Sequence, residues 1–182
     1  WVDPWSKTPE REQSLFFTDA TGTHPGPPGA YNVVVGMTSD ASVLVFTTNL
    51  KLVPTDADTQ VDVYAWTRAT SRLRLVTDGP DAGAFVGMAE DGSHILYDVG
   101  MGAGLYDWTP TGTAFIGTGS FIDLSDDGRT VYFDTRESLD PTDLDGAIDG
   151  YVHGPAGYRV LTNPTSTDAG LVAVKADGTT WV

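Results

Sequence analysis

The sequence predicts an all-β fold: a β-propeller of four-stranded antiparallel blades, about four blade-equivalents in one domain. Three observations carry this. The first is the kind of acid. Of the 25 acidic residues in this 182-residue chain, 21 are Asp and only 4 are Glu, alongside 21 Gly and 11 Pro. Asp, Gly and Pro belong to turns and loops, whereas helix surfaces favour Glu. The second is periodicity. Short runs of Val, Ile, Leu, Phe and Tyr alternate with Asp-Gly, Pro-Gly and Thr-Gly punctuation, and no window sustains a period of 3.6. The third is an internal repeat.

Residues 34–64 align without a gap on residues 121–151, and ten of the 31 positions are identical. Chance would supply about two. The identities are Asp40/Asp127, Phe46/Phe133, Thr48/Thr135, Leu52/Leu139, Pro54/Pro141, Thr55/Thr142, Asp56/Asp143, Asp58/Asp145, Asp62/Asp149 and Tyr64/Tyr151. A third copy begins at Phe85 with a shorter second loop, and a fourth begins at Val172 and breaks off at the C-terminus. Each unit reads strand, Asp-Gly turn, strand, loop, strand ending in Tyr-x-Trp, turn, strand. In the first unit the strands fall at about residues 32–38, 42–48, 62–66 and 73–77. Four antiparallel strands in such a unit make one propeller blade.

At the N-terminus, residues 14–18 read as an outermost strand, with Trp5 in the register of Trp66 and Trp108. The chain thus opens with outer strands and ends with inner ones, so the termini would complete one blade, with Trp1 and Trp181 packed at the closure. The units are then 1–30 plus 164–182, 31–79, 80–118 and 119–163. The ring would close within one chain, or two chains would form an eight-bladed ring, or the chain would be part of a larger propeller. Stacked hairpins are the alternative fold, disfavoured by the ungapped repeat.

Two units carry a family resemblance. The run 39–48 (Ser-Asp-Ala-Ser-Val-Leu-Val-Phe-Thr-Thr), then Leu52-Val53-Pro54-Thr55-Asp56-Ala57-Asp58 and Asp62-Val63-Tyr64, resembles the TolB-like (WD-repeat-like) propeller units of bacterial secreted and cell-surface proteins. Asp126-Asp127-Gly128, Tyr132-Phe133, Leu139, Asp143-Leu144-Asp145-Gly146 and Asp149-Gly150-Tyr151 repeat it. The resemblance implies the fold and a binding platform, and says little about chemistry.

Charge and composition exclude several functions. A net charge of −15 repels phosphate backbones and anionic headgroups, which argues against nucleic acid and membrane surfaces as partners. With no Cys there are no disulfides, thiol nucleophiles or thiolate metal sites. No apolar run is long enough for a membrane-spanning helix.

The sharpest constellation is Asp56-x-Asp58-x-x-x-Asp62, repeated at identical spacing as Asp143-x-Asp145-x-x-x-Asp149. Three carboxylates so close repel unless neutralised. Hard oxygen donors suit Ca²⁺, which takes about six to eight oxygens and tolerates irregular loops. Glu is missing from the twelfth position, occupied by Thr67 or Gly154, so this is not an EF-hand. The competing reading is that these aspartates cap turns.

Other candidates are weaker. Tyr64/Trp66, Tyr106/Trp108 and Tyr151/His153 each place two rings on one strand face, either as a sugar-stacking platform or as packing between blades. His24, His94 and His153 are scattered in sequence, and residues 23–29 read as a Pro- and Gly-rich connecting loop. Asp3, Asp98, Asp123 and Asp134 are candidates for a glycosidase pair. No Gly-x-Ser-x-Gly elbow or phosphate loop is present. Residues 175–181 faintly echo the aspartate box of sialidases. The expectation is therefore a non-catalytic propeller, secreted or on a bacterial cell surface, with Ca²⁺ as structural cofactor. It would bind a protein partner, or alternatively a glycan. A leader segment is absent from the sequence, which reads as a mature or excised piece.

Overall fold

Short β-rich runs become strands here, and the second and third strands of each full blade bury both of their faces. The computed structural model describes residues 15–19, 22–27, 33–163, 165, 167–174 and 180–181. It opens with a two-stranded hairpin, β1 (Phe16–Asp19) and β2 (Gly22–Pro25). The first full blade follows: β3 (Val33–Met37), β4 (Val43–Thr48), β5 (Asp62–Thr67) and β6 (Arg72–Leu75), paired antiparallel in that order. The second is β7 (Gly83–Met88), β8 (Ile95–Val99), β9 (Gly104–Thr109) and β10 (Gly112–Gly117). The third is β11 (Ser120–Leu124), β12 (Val131–Thr135), β13 (Asp149–Gly154) and β14 (Gly157–Val160). A last hairpin joins β15 (Ala173–Val174) to β16 (Thr180–Trp181).

The first strands of successive blades lie side by side, β3 by β7, β7 by β11, and β11 by β15. This is the radial arrangement of a propeller. The first strand of every full blade bulges against the second, at Val34/Gly36, Phe85/Gly87 and Phe121/Asp123. A bulge adds local twist, here repeated at the same place in each blade.

The turns between first and second strands explain the Asp-Gly signal. Asp40, Asp91 and Asp127 each accept the backbone N–H two residues on, at 2.9, 2.8 and 3.1 Å. The intervening residue is left-handed: Ala41 at φ 55°, Gly92 at 71° and Gly128 at 74°. A fourth such turn, at Asp177, lies outside the described residues.

Alternation assigns each side chain to one of two interfaces. On β4, Val45 points into a cluster with Val63, Ala65 and Val76, which meets Ile95, Tyr97 and Trp108 of the second blade. Its neighbours Leu44 and Phe46 point the other way, joining Tyr64 and Trp66 in a cluster that also receives Leu15 beside the N-terminal hairpin. On the second blade, Leu96, Leu105 and Ile116 face Val131, Phe133 and Tyr151 of the third. Burying a large apolar side chain contributes roughly 1.5–3 kcal/mol, so these layers hold the blades together.

Two local expectations change. The strand expected at residues 14–18 to be outermost is β1, and it pairs with a further strand, β2. That second strand takes up Thr23, His24 and Pro25, which the sequence had suggested were loop. β2 precedes β3 by the same seven residues that separate β6 from β7, the spacing expected of a fourth strand leading into the next blade. Among the described residues the terminal hairpins form separate two-stranded sheets. Trp1 and Trp5 lie outside the described residues.

Candidate metal centre

The loop joining β4 to β5, and its counterpart joining β12 to β13, fold identically around their three aspartates. Each begins with a backbone turn that presents the first aspartate: Asp56 N–H donates to Val53 O at 3.1 Å and Asp143 N–H to Asp140 O at 3.0 Å. The Oδ1 of that aspartate accepts the N–H of the second, Asp58 or Asp145, at 3.3 Å in both loops. The second in turn accepts from Gln60 N at 2.7 Å or Ala147 N at 2.8 Å. The third aspartate is the first residue of the next strand, with Asp62 opposite Thr48 and Asp149 opposite Thr135. One carboxylate oxygen from each of the three lies within 4.8 Å of the others, in each loop.

Two hydroxyls fix each triple from behind. Tyr64 donates to Asp56 Oδ2 at 2.5 Å while its oxygen accepts Leu52 N–H. Tyr151 does the same for Asp143 and Leu139. Thr77 Oγ1 donates to Asp62 Oδ1 at 2.6 Å, and Thr162 Oγ1 to Asp149 Oδ1 at 2.5 Å. The same hydroxyls accept from Val63 N and Gly150 N. The repeat alignment contained the tyrosines, but as aromatic rings. It stopped short of the threonines, whose spacing departs from the repeat by two residues. The shared runs Leu75-Val76-Thr77 and Val160-Leu161-Thr162 were the available signal.

The electrostatics are unbalanced. The first and third aspartate of each triple are buried and the second is half-buried. Burial, opposed by the Thr77 hydrogen bond and reinforced by the Asp56 and Asp58 carboxylates, raises the Asp62 carboxyl above its ordinary value. Burial and the bond to Asp56 push the Tyr64 phenol up, so it stays a donor. Among the described residues the ion pairs are His94–Asp107 and Arg136–Asp168, and no cation pairs with either triple. Three convergent, oxygen-only, uncompensated carboxylates fit a hard cation such as Ca²⁺. Asp149 makes the same point more sharply: it is fully buried, and its Oδ2 has no hydrogen-bond partner.

The remaining candidates resolve differently. Tyr64, Trp66, Trp108 and Tyr151 are buried, in the clusters described above, so these rings form core rather than an exposed sugar platform. His94 and His153, scattered in sequence, line one hollow with Asp107 and Arg129 between the second and third blades. His94 Nδ1 bonds Asp107 at 2.8 Å, and His153 stacks on Tyr158 at 4.4 Å. His24 lies apart on β2. Asp98 holds Gly102 N with both oxygens, Asp123 accepts Leu124 N, and Asp134 accepts Leu171 N. Each of these three is engaged with a backbone amide. Asp3 and the run 175–179 lie outside the described residues.

No protein-family model matches the chain, and no curated protein matches it. Solved structures do. The chain is similar to the tricorn protease (TM-score 0.56, 15% identity, 91% of this chain and 16% of that one). It is also similar to TolB from Acinetobacter baumannii (TM-score 0.48, 17% identity, 91% and 41%). An oligogalacturonate lyase from Vibrio parahaemolyticus gives a TM-score of 0.46 at 13% identity, with 82% and 46% covered. The chain spans less than half the length of each of these three. At such identities the likeness to the tricorn protease speaks for the fold alone: the protein is an all-β propeller.

Proposed function

We propose that the protein is a non-catalytic binding propeller of the TolB-like kind, working outside a bacterial cell, with Ca²⁺ bracing two of its loops and a protein as its partner. The observation that carries the reading is the duplicated triple: two loops, 87 residues apart, reproduce the same hydrogen bonds around three uncompensated carboxylates. Extracellular calcium is abundant enough for modest sites to fill. Metal binding would tie a long loop to the strand that follows it.

A protein partner is favoured over a glycan by what the second loops expose. Leu50, Met101 and Leu144 sit in the loops between second and third strands of the three full blades, and all three are exposed. One exposed apolar side chain on each of these loops suits a protein surface, while Tyr64, Trp66, Trp108 and Tyr151, rings that would stack on sugar, are buried.

The test is thermal unfolding with and without calcium. Asp58→Ala and Asp145→Ala should lower the midpoint clearly more when calcium is present than in EDTA, where only the bonds from Gln60 N and Ala147 N are lost, since a ligand stabilises only the state that binds it. Equal losses in both conditions would return these aspartates to turn capping. Native mass spectrometry should show a monomer carrying two calcium ions. A dimer would instead make self-assembly part of the function.

A further inference from the structure

We infer that the two calcium loops are unequal, and that the Asp143–Asp145–Asp149 site of the third blade is the tighter one and fills first; this rests on the calcium reading above. The two loops share their ligands and their hydrogen bonds, so the difference must come from what surrounds them.

The first difference is an orphaned anionic oxygen. Asp149 has no solvent exposure, its Oδ1 accepts from Thr162, and its Oδ2 has no partner. A buried charged oxygen left unpaired is strongly unfavourable, and a cation placed against it recovers that loss. No oxygen of the equivalent Asp62 is orphaned in this way. The unloaded third-blade loop therefore has more to gain from an ion.

The second difference is the local charge. At the first site, the Lys51 ammonium lies 2.7 Å from Ala57 O, between Asp56 and Asp58 in sequence. An exposed cation there opposes an incoming one, at a strength reduced by water. The residue equivalent to Lys51 is Ser138, a neutral hydroxyl that donates to Asp145 O at 3.1 Å. Arg136 also reaches the second loop, at Gly146 O, but its guanidinium is paired with Asp168 at 3.1 Å. Each site has a further carboxylate nearby. Asp78, on the wall of the first, is exposed and screened by water. Asp134, where the first repeat has Thr47, is partly buried and repels Asp149.

Calorimetric titration of the whole chain with Ca²⁺ should resolve two steps, separated by about tenfold or more, the ~1.4 kcal/mol scale of one unsatisfied buried polar group. Asp149→Asn should abolish the tight step and Asp62→Asn the weak one, with circular dichroism confirming that each variant folds. Lys51→Ser touches no ligand and should tighten the weak step while leaving the tight one unchanged. Two equal sites, a tight step that survives in folded Asp149→Asn, or a tight step strengthened by Lys51→Ser would each overturn the ranking while leaving calcium binding intact. No heat and no bound calcium in the folded wild type would overturn the parent reading as well.

Discussion

At the scale of single residues, the turn after each first strand shows how much one backbone angle decides. Ala41 holds φ at 55° where its counterparts are glycines, and a side chain in that region is strained by about 1 kcal/mol. Ala41→Gly should raise stability by up to about 1 kcal/mol in urea denaturation, because relief of strain outweighs the added freedom of the unfolded chain. The reverse exchange at Gly128 is worse than strain alone. Its new Cβ would stand 2.5 Å from His94 Cβ and 2.8 Å from Ala89 Cβ, so Gly128→Ala should cost roughly 1–3 kcal/mol. His153 makes the pH prediction. Burial of its ring, only partly offset by Asp107, holds its pKa below 6.5. Between that lowered value and 6.5 the unfolded chain binds more protons than the folded one, so stability falls as the pH drops through this window. Urea midpoints at about pH 7.5 and about pH 5 should diverge less in His153→Phe than in the wild type.

At the scale of elements, the long second loop is where sequence and structure agree best and also where sequence falls short. The three aspartates were legible because their spacing repeats, and spacing within one loop survives folding. Thr77 and Thr162 were not legible, because they approach the triples from beyond the outermost strand. The His94–Asp107–His153 hollow was invisible for a similar reason: His94 comes from the second blade and His153 from the third, and only the packing of the two sheets brings them together. The N-terminal hairpin was misread because Pro25 and its neighbours look like loop residues in isolation, whereas a short outer strand tolerates Pro. The hydroxyl behind the metal site can be tested. Thr77→Val keeps the shape but leaves Asp62 Oδ1 and Val63 N–H without their partner. It should cost roughly 2–4 kcal/mol in calcium-free urea denaturation, as expected for two buried polar groups left unpaired.

At the scale of the whole molecule, stability resides between the blades. The second and third strands are buried on both faces, with odd and even residues of one strand serving different neighbours. Loss of one interior side chain should therefore be felt beyond its own sheet. Leu96 is fully buried where the second blade meets the third. Leu96→Ala should cost about 2–5 kcal/mol. It should do so in a single thermal transition that tryptophan fluorescence, to which Trp66 and Trp108 in the other two clusters contribute, follows together with circular dichroism.

That two-faced packing also bears on how such a chain can lengthen. A blade copied whole carries both halves of an interface, one on each face, so a duplicate meets its parent with complementary surfaces already in place. Growth by gene duplication then requires no new interior. Selection on each copy need preserve only the alternation, the left-handed turn and the volume of the rings, which is why two copies can keep ten of 31 residues and still superimpose their hydrogen bonds.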